Sequence, residues 1–437
     1  MNPLKTVASF LRLSILFIVS FLYSSVSSAA PTILLPDSSF DLQITPYLSI
    51  YEDKSNALTI DEIISPKFQL KFSPSHSDNL RFSISDSSYW LKFSITNPHE
   101  NKQSLVLSIS NSRLDSIEFY EAKSGKISFR RSGSGAAEKA QGSHRQAYPF
   151  LIEVDAKKHQ TYILRIQSTS AINTHLRLQS NDQFLQSQQF DFTILGMALG
   201  WIIATGAFFV FIWYYYRLTF SLIAAFYCAS IFFFIPAWLG QWATWFPHTQ
   251  FWQKEIIVIS IMASTVLQTM LTLCLRWGSD NGKRIIKMLQ GFVIFNTIAT
   301  LVCLFLPAGT MVIVMSIAIV ITSICIACIL LFAHSEFERA QKFLLLGYSI
   351  VGMGVLLSLL TTHSFLAFEF INSWVAILMP LVMISCTVFA CLTIINMTRS
   401  SRRMSRQTGD DILPELLAKL GHEFRTPING VMGMGEL

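Results

Sequence analysis

The chain has 437 residues and a formal net charge of +6, and its composition excludes an ordinary soluble protein. Hydrophobic residues make up 51% of it and charged residues only 14%, against about 25% in a typical globular chain. The small net charge also gives no basis for a nucleic-acid partner, and none is expected. A membrane protein is the class that this composition favours.

Residues 1–29 have the pattern of a secretory signal peptide. Lys5 and Arg12 form its basic part, residues 13–23 its short apolar core, and Ser27-Ser28-Ala29 the small residues of a cleavage site. The alternative is an uncleaved anchor helix, although the apolar core is short for a membrane span. Either interpretation predicts that the segment after it is exported.

Residues 30–186 are predicted to form an all-β periplasmic domain. The run YWLKFSIT at residues 89–96 alternates with a period of two, and further short alternating runs follow it between turn-forming segments. Short strands at this spacing are typical of an antiparallel β-sandwich. All seven cysteines lie between residues 228 and 391, so the sandwich is expected to fold without disulfides.

The same alternation predicts which side chains of the sandwich face outward. One face of the strand at 89–96 is apolar and suits the core, which leaves Trp90 and Lys92 on the other face. His175 and Arg177 are outward-facing by the same argument. An aromatic ring with cationic neighbours can stack on a sugar and hold an anionic group, so these four residues are a candidate ligand site. The alternative is a solvated face with one tryptophan covered by a loop.

Residues 187–397 are predicted to form a transmembrane domain of seven helices. Each apolar segment approaches the ~20 residues that cross a ~30 Å hydrocarbon core, and charged residues, Pro or Gly separate them. The segments are about 192–213, 218–240, 255–275, 285–306, 311–332, 343–361 and 375–396.

The distribution of basic residues predicts the orientation. With residues 31–190 outside, the inner loops and the tail as far as Arg406 contain eleven Lys and Arg residues, whereas the outer loops contain only Lys254. The positive-inside rule and the signal peptide therefore agree that the C-terminal tail is cytoplasmic. The expected location is the inner membrane of a bacterium, with multiple passes.

The helix centres carry no Asp, Glu, Lys or Arg, which disfavours a pump or transporter and favours a signal transducer. Gln268, Asn296 and the glycines at 352 and 354 are predicted to mediate packing between helices. Cys325 and Cys328 form a C-x-x-C inside an apolar run, where packing is a better explanation than metal or redox chemistry.

Aromatic residues crowd the outer loop after the second segment. An interfacial aromatic belt explains them, and the alternative is a surface on which the sandwich docks. They are Trp242, Trp245, Phe246, Phe251 and Trp252.

Residues 398–412 form a cytoplasmic linker, and residues 413–437 begin a new helix. The linker contains a basic run, Arg399 to Arg406, that is suited to contact with anionic lipid. At ~100° per residue, a stripe of leucines and Phe424 lies along one side of the helix, with His422 opposite. This geometry suits a helical bundle that leaves the His422 imidazole accessible.

The residues around His422 predict phosphoryl chemistry. A ring nitrogen can be phosphorylated, Glu423 can accept or orient the other ring proton, and Thr426 can position a water for the reverse reaction. Pro427 interrupts the helix just after this site. A zinc site of the H-E-x-x-H type is excluded because position 426 is Thr, so no metal is expected.

The run HEFRTPINGVMGMGEL, residues 422–437, resembles the phosphoacceptor motif of bacterial sensor histidine kinases, especially hybrid kinases with receiver domains. Upstream, YWLKFSITNP and SNSRLDSIEFY resemble the periplasmic domain of seven-transmembrane receptors with diverse intracellular signalling modules. That sandwich is similar to carbohydrate-binding modules.

The resemblance implies that His422 is the phosphoacceptor, Glu423 its acid–base neighbour and Thr426 a phosphatase-assisting residue. It also implies a homodimer, a receiver domain or response regulator as partner, and a periplasmic ligand, possibly a carbohydrate. The family continues into an ATP-binding domain for which this chain has no counterpart, so the chain itself needs no cofactor, while ATP and Mg²⁺ belong to the missing domain. The alternative is a truncated, non-catalytic receptor that modulates another kinase by forming mixed dimers.

Overall fold

The computed structural model describes residues 31–75, 80–82, 85–110, 114–123, 126–132, 147–168, 172–246, 252–275, 277, 279–333, 335–362 and 375–400. The predicted signal peptide and the predicted phosphoacceptor helix lie outside these ranges. The described residues form an N-terminal β-sandwich followed by long apolar helices.

In the described part of the sandwich, two sheets of seven and four strands are accompanied by a two-stranded ladder. The larger sheet has the order β4-β3-β6-β11-β8-β9, with β1 parallel to β6, and the smaller has the order β10-β7-β13-β2. The strands are β1 (Ile33–Leu34), β2 (Asp41–Gln43), β3 (Ser49–Asp53), β4 (Ser73–Pro74), β5 (Leu80–Phe82), β6 (Ser88–Thr96), β7 (Gln103–Ser110), β8 (Ser116–Lys123), β9 (Lys126–Ser132), β10 (Ala147–Val154), β11 (His159–Gln167), β12 (Ile172–Thr174) and β13 (Leu176–Ser180).

The period-two pattern of β6 decides which side chains enter the sandwich core. Leu91, Phe93 and Ile95 are fully buried there, together with residues of the same phase on the neighbouring strand β11. Leu107 and Phe150 of the smaller sheet complete the core from the opposite side. The predicted core face of this strand and the predicted sandwich are therefore confirmed.

A short helical segment, residues 54–72, covers the outer face of the larger sheet, and we call it the cap. It contains α1 (Ile60–Ile64) and α2 (Pro66–Gln69). The carboxylate of Glu62 accepts the backbone N–H of Thr59 at 2.9 Å, which satisfies a donor at the start of α1. Ile63 of α1 is fully buried against the sheet.

The described residues after the sandwich include seven helices long and apolar enough to span a membrane, as predicted. A short helix, α5, lies between two of them. The helices are α3 (Asn181–Tyr216), α4 (Thr219–Trp238), α5 (Trp242–Trp245), α6 (Gln253–Leu273), α7 (Ser279–Phe305), α8 (Ala308–Phe332), α9 (Glu338–Thr362) and α10 (Val375–Ser400).

Uncharged polar side chains join these helices in pairs. Gln268 of α6 donates to the hydroxyl of Tyr227 of α4 at 2.9 Å, and Asn296 of α7 donates to Thr322 of α8 at 3.0 Å. These contacts confirm the predicted packing roles of Gln268 and Asn296. The hydroxyls of Thr272 and Tyr348 form a third pair, at 3.1 Å, between α6 and α9.

Two glycines allow α9 and α10 to approach closely. A Cβ atom added at Gly347 would collide with the sulfur of Met383, and one added at Gly354 would lie 2.6 Å from Cγ of Met379. We call this contact the α9–α10 seam. Because small residues let helix backbones approach in a membrane, the seam explains the predicted role of Gly354.

Candidate functional site

Trp90 lies on the outer face of β6, as predicted, but the cap covers it. Its side chain is 1% exposed and packs among Ile63, Ile163 and apolar cap residues. The ring of Tyr120 stacks on the indole with centroids 5.9 Å apart, and the Arg165 guanidinium lies 5.5 Å from the indole ring. Trp90 is therefore an aromatic platform beneath a lid of the chain's own residues.

A charged cluster borders the indole on the same face. Arg165 pairs with the carboxylate of Glu118 at 3.1 Å and donates to the side-chain oxygen of Asn56 at 2.7 Å. The Tyr120 hydroxyl donates to Glu118 at 2.9 Å. Burial and this hydrogen bond raise the pKa of Tyr120, so the phenol stays protonated as a donor.

Lys92 follows two residues along β6 and reaches the cap. Its ammonium donates to the side-chain oxygen of Gln69 and lies 5.6 Å from the ring of Phe72. Burial lowers the pKa of Lys92, because the cap and sheet partly remove the ammonium from water. Lys92 and Trp90 thus share one face, and both contact the cap.

Asp53 holds the turn through which β3 enters the cap. Its carboxylate accepts hydrogen bonds from the backbone N–H groups of Ser55, Asn56 and Leu58, at 3.0, 3.1 and 3.1 Å. Burial alone would raise the pKa of Asp53, but these bonds and the Ser55 hydroxyl outweigh it and lower that pKa. Asp53 therefore fixes Asn56, which in turn contacts Arg165.

The structure does not bring His175 and Arg177 to the Trp90 face, which corrects the predicted four-residue site. Arg177 belongs to β13 in the smaller sheet, where its guanidinium pairs with Asp41 at 3.4 Å. His175 directly precedes β13. The alternation of a strand shows which way a side chain points, but not which strands are neighbours, so residues of two different sheets were combined.

Glu118, Tyr120 and Arg165 were not identified from the sequence. A usable signal was present, because Glu118 and Arg165 each interrupt an apolar strand at the outward-facing phase. The register places them directly opposite each other on β8 and β11. Two buried donors of this cluster, Nε1 of Trp90 and Nε of Arg165, have no hydrogen-bond partner among the described residues.

This cluster has the chemistry of a ligand-binding surface that is closed. An aromatic face, a guanidinium and an ammonium suit a sugar ring with polar or anionic substituents. With the cap in place, the Trp90 ring is inaccessible. Each unpaired buried donor costs about 1–3 kcal/mol, which a ligand acceptor would relieve.

The remaining predicted site residues, His422, Glu423 and Thr426, lie outside the described residues. Helix α10 is described as far as Ser400, within the predicted linker of residues 398–412. Within the described ranges, no cluster of three or more His, Cys, Asp or Glu side chains could hold a metal ion.

Comparison with known families defines the class of protein. Residues 45–180 match the family described as 7TMR-DISM extracellular 2, and residues 191–392 match the one described as 7TM diverse intracellular signalling. The first match ends with β13 and the second begins within α3. The chain is thus a multi-pass membrane receptor with an extracellular sensor domain. It carries the extracellular and membrane domains of the 7TMR-DISM family.

Among solved structures, the sandwich is similar to CsCBM6-3 from Clostridium stercorarium, which was determined in complex with cellobiose. The two chains are 13% identical with a TM-score of 0.18, and the match covers 35% of this chain and 98% of that one. The strand pairings described above establish the sandwich independently of this match. No curated protein matches the chain significantly.

Proposed function

We propose that the chain is the sensory part of a two-component phosphorelay receptor. A periplasmic ligand, with carbohydrate as the favoured class, binds the outer face of the larger sheet and displaces the cap. The membrane helices pass this change to the cytoplasmic helix that carries His422. A kinase domain that binds ATP and Mg²⁺ phosphorylates His422, and the phosphoryl group moves to an aspartate of a receiver domain.

The observation that carries the ligand site is the pair of unpaired donors beneath the cap. Nε1 of Trp90 and Nε of Arg165 are buried beside an aromatic ring and a charged cluster, where an empty donor is costly. Hydroxyl or carboxylate oxygens of a ligand would supply acceptors for these donors. The fully apolar contacts of Ile63 keep this surface closed until a ligand competes with them.

Ligand binding is tested with the full chain reconstituted in phosphatidylcholine vesicles. Neutral and anionic oligosaccharides are screened for binding. Trp90→Phe removes the indole N–H while keeping an aromatic ring, and Lys92→Gln removes the positive charge. We expect both variants to lose binding, because the ligand loses the indole donor in one and the cationic contact in the other.

Arg177→Gln is the matched control, because Arg177 belongs to the other sheet. We expect this variant to bind like the unchanged chain. If Trp90→Phe and Lys92→Gln also bind like the unchanged chain, the site is elsewhere. If no oligosaccharide binds, carbohydrate is the wrong ligand class.

The phosphorelay role is tested separately with the complete gene product. We expect ATP to label the protein on histidine and His422→Gln to abolish the label, because His422 is the proposed acceptor. The loss of phosphate expected of a relay should be slower in Thr426→Ala, because Thr426 is the proposed phosphatase-assisting residue. Undiminished labelling of His422→Gln would refute the assignment.

The rival proposal is a receptor without kinase activity that forms mixed dimers with another kinase. An antibody against the periplasmic domain distinguishes the two in native membranes. A native mass near the 49.3 kDa of this chain supports the rival, and a much larger mass supports the kinase. Homodimerisation through the leucine stripe near His422 belongs to the first proposal.

A further inference from the structure

A cavity lies between five of the membrane helices. Residues of α4, α6, α8, α9 and α10 line it, and its empty volume is about 690 Å³ including the open mouth. The space open to the centre of a water molecule is about 80 Å³. Since one water needs roughly 10–15 Å³ on that measure, the cavity can hold a molecule considerably larger than water.

Most of the cavity lies toward the outer ends of the helices. Trp238 is the last residue of α4 and Val375 is the first described residue of α10, and both line the cavity on the side of the extracellular domain. Gln268 lies about 22 Å along α6 from its outer end, beyond the midpoint of this 21-residue helix. The cavity therefore reaches from the outer helix ends inward as far as Gln268.

The inner end of the cavity carries a hydrogen-bonding pair. Gln268 donates to the hydroxyl of Tyr227 at 2.9 Å, and both side chains are buried. The amide of Gln268 has a second N–H and a carbonyl oxygen, so it can still donate to or accept from another group. In contrast, the hydroxyls of Ser264 and Thr265 donate to carbonyls of their own helix, at 2.6 and 2.7 Å.

The walls restrict the chemistry of an occupant. Among the described residues that line the cavity, none carries a charge, and most are aliphatic, aromatic or Met. A charged molecule would lose its hydration without gaining a counter-ion there. An apolar body with one hydrogen-bonding group at its end matches both the walls and the inner pair.

We propose that this cavity binds a small, uncharged, mostly apolar molecule whose polar end hydrogen-bonds to Gln268 and Tyr227. The occupant would lie against Met379 and Pro380 of α10, the helix that leads to the cytoplasmic tail. Met379 also forms part of the α9–α10 seam. Occupancy therefore acts on the helix pair through which the bundle connects to the tail, independently of the extracellular sandwich.

The test uses the full chain in phosphatidylcholine vesicles and a photoreactive benzyl alcohol that carries a diazirine. This probe is uncharged, with an aromatic body and one hydroxyl. After irradiation, peptide mass spectrometry locates the label. We expect saturable labelling around Trp238 and Met379, which an excess of benzyl alcohol suppresses.

Two variants on α10 separate the cavity from the lipid-facing surface. Ala376 lines the cavity, so Ala376→Phe should fill it and abolish the saturable label. Leu378 is 45% exposed on the same helix and does not line the cavity, so Leu378→Phe should label normally. If Ala376→Phe does not fold, Ser316→Leu is used in its place, because Ser316 lines the cavity from α8.

Gln268→Leu tests the polar end of the site. We expect benzyl alcohol to compete about five-fold less well in this variant, which corresponds to one hydrogen bond of about 1 kcal/mol. Labelling that does not saturate, spreads over exposed residues such as Phe389, and persists in Ala376→Phe would overturn the proposal. Because no step requires ATP or an oligosaccharide, the outcome is separate from that of the proposed phosphorelay.

Discussion

The sandwich and the membrane bundle bury polar groups in different ways. Under the cap, an ion pair between Arg165 and Glu118 lies largely buried beside Trp90, with side chains 19% and 12% exposed. Inside the bundle, the buried interhelical pairs described above are uncharged, as with Gln268 and Tyr227. An ion pair near water can keep part of its hydration, whereas one at mid-membrane cannot.

This difference also separates the two candidate ligand sites. The sandwich face offers a guanidinium, an ammonium and a carboxylate, which suit a polar and water-soluble ligand. The bundle cavity offers one amide and one phenol among apolar side chains. The two proposed sites therefore suit different ligands, a water-soluble one at the sandwich and a lipid-soluble one in the bundle.

The largest expected effect comes from breaking the buried ion pair. Arg165→Met leaves the Glu118 carboxylate without its closest cation, and we expect the sandwich to lose about 3 kcal/mol of unfolding free energy. Pulse proteolysis of the full chain in urea measures this loss. The control is Lys102→Met, which breaks the exposed pair with Glu153 and should change nothing measurable. Equal effects of the two substitutions would contradict a special role for the covered pair.

Crowding the α9–α10 seam is expected to have the next largest effect. Gly347→Val adds atoms that collide with Met383, and we expect a loss of about 2 kcal/mol in bundle stability. Thermal unfolding of the purified protein in detergent measures it. In Gly291→Ala the added Cβ meets no atom within 4 Å, so this control should unfold like the unchanged chain or slightly later. A seam that tolerates Gly347→Val is not closely packed.

A smaller and pH-dependent effect is expected at Asp53. Its pKa is held below the ordinary value of 3.8, so its stabilising contribution is complete above that pH and disappears as the pH falls through the lowered pKa. Asp53→Asn should cost about 1.5 kcal/mol at neutral pH. Urea unfolding at several pH values should show the two proteins converging in acid, and a constant difference would be inconsistent with the carboxylate's role.

The smallest effect is expected at the start of the cap. Glu62→Ala removes the acceptor for the Thr59 N–H, and the loss of about 1 kcal/mol should speed amide exchange in residues 60–72 about five-fold. Hydrogen-exchange mass spectrometry of the full chain measures this. Exchange in the neighbouring strand β11 should remain unchanged, and a rise there of the same size would show that the cap is not a separate unit.

Local patterns predicted the elements of both regions well. The alternation in β6 identified Leu91, Phe93 and Ile95 as core residues, and hydropathy located each long helix. Hydropathy placed the start of the first span near residue 192, whereas α3 begins at Asn181. An apolar segment marks only the part of a helix that crosses the membrane, and α3 extends beyond that part. The predicted domain boundary at 186 therefore falls inside a helix.

The pairing of distant segments could not be predicted in the same way. Nothing local in residues 54–72 indicates that two short helices cover Trp90, and the strand order that separates Arg177 from Trp90 depends on contacts far apart in sequence. The alternative stated for the sandwich face, in which a loop covers one tryptophan, is close to the observed cap over Trp90. The interfacial role of Trp245 and Trp252, which are 42% and 64% exposed, stays a prediction.

The central claim is that packing in the bundle controls phosphorylation of His422. It is tested by measuring the rate at which ATP labels the complete gene product in inverted membrane vesicles. We predict that Gly347→Val at the α9–α10 seam changes this rate several-fold, that Gly291→Ala leaves it unchanged, and that His422→Gln gives no label. Labelling of His422→Gln, or identical rates for Gly347→Val and Gly291→Ala, would contradict the account.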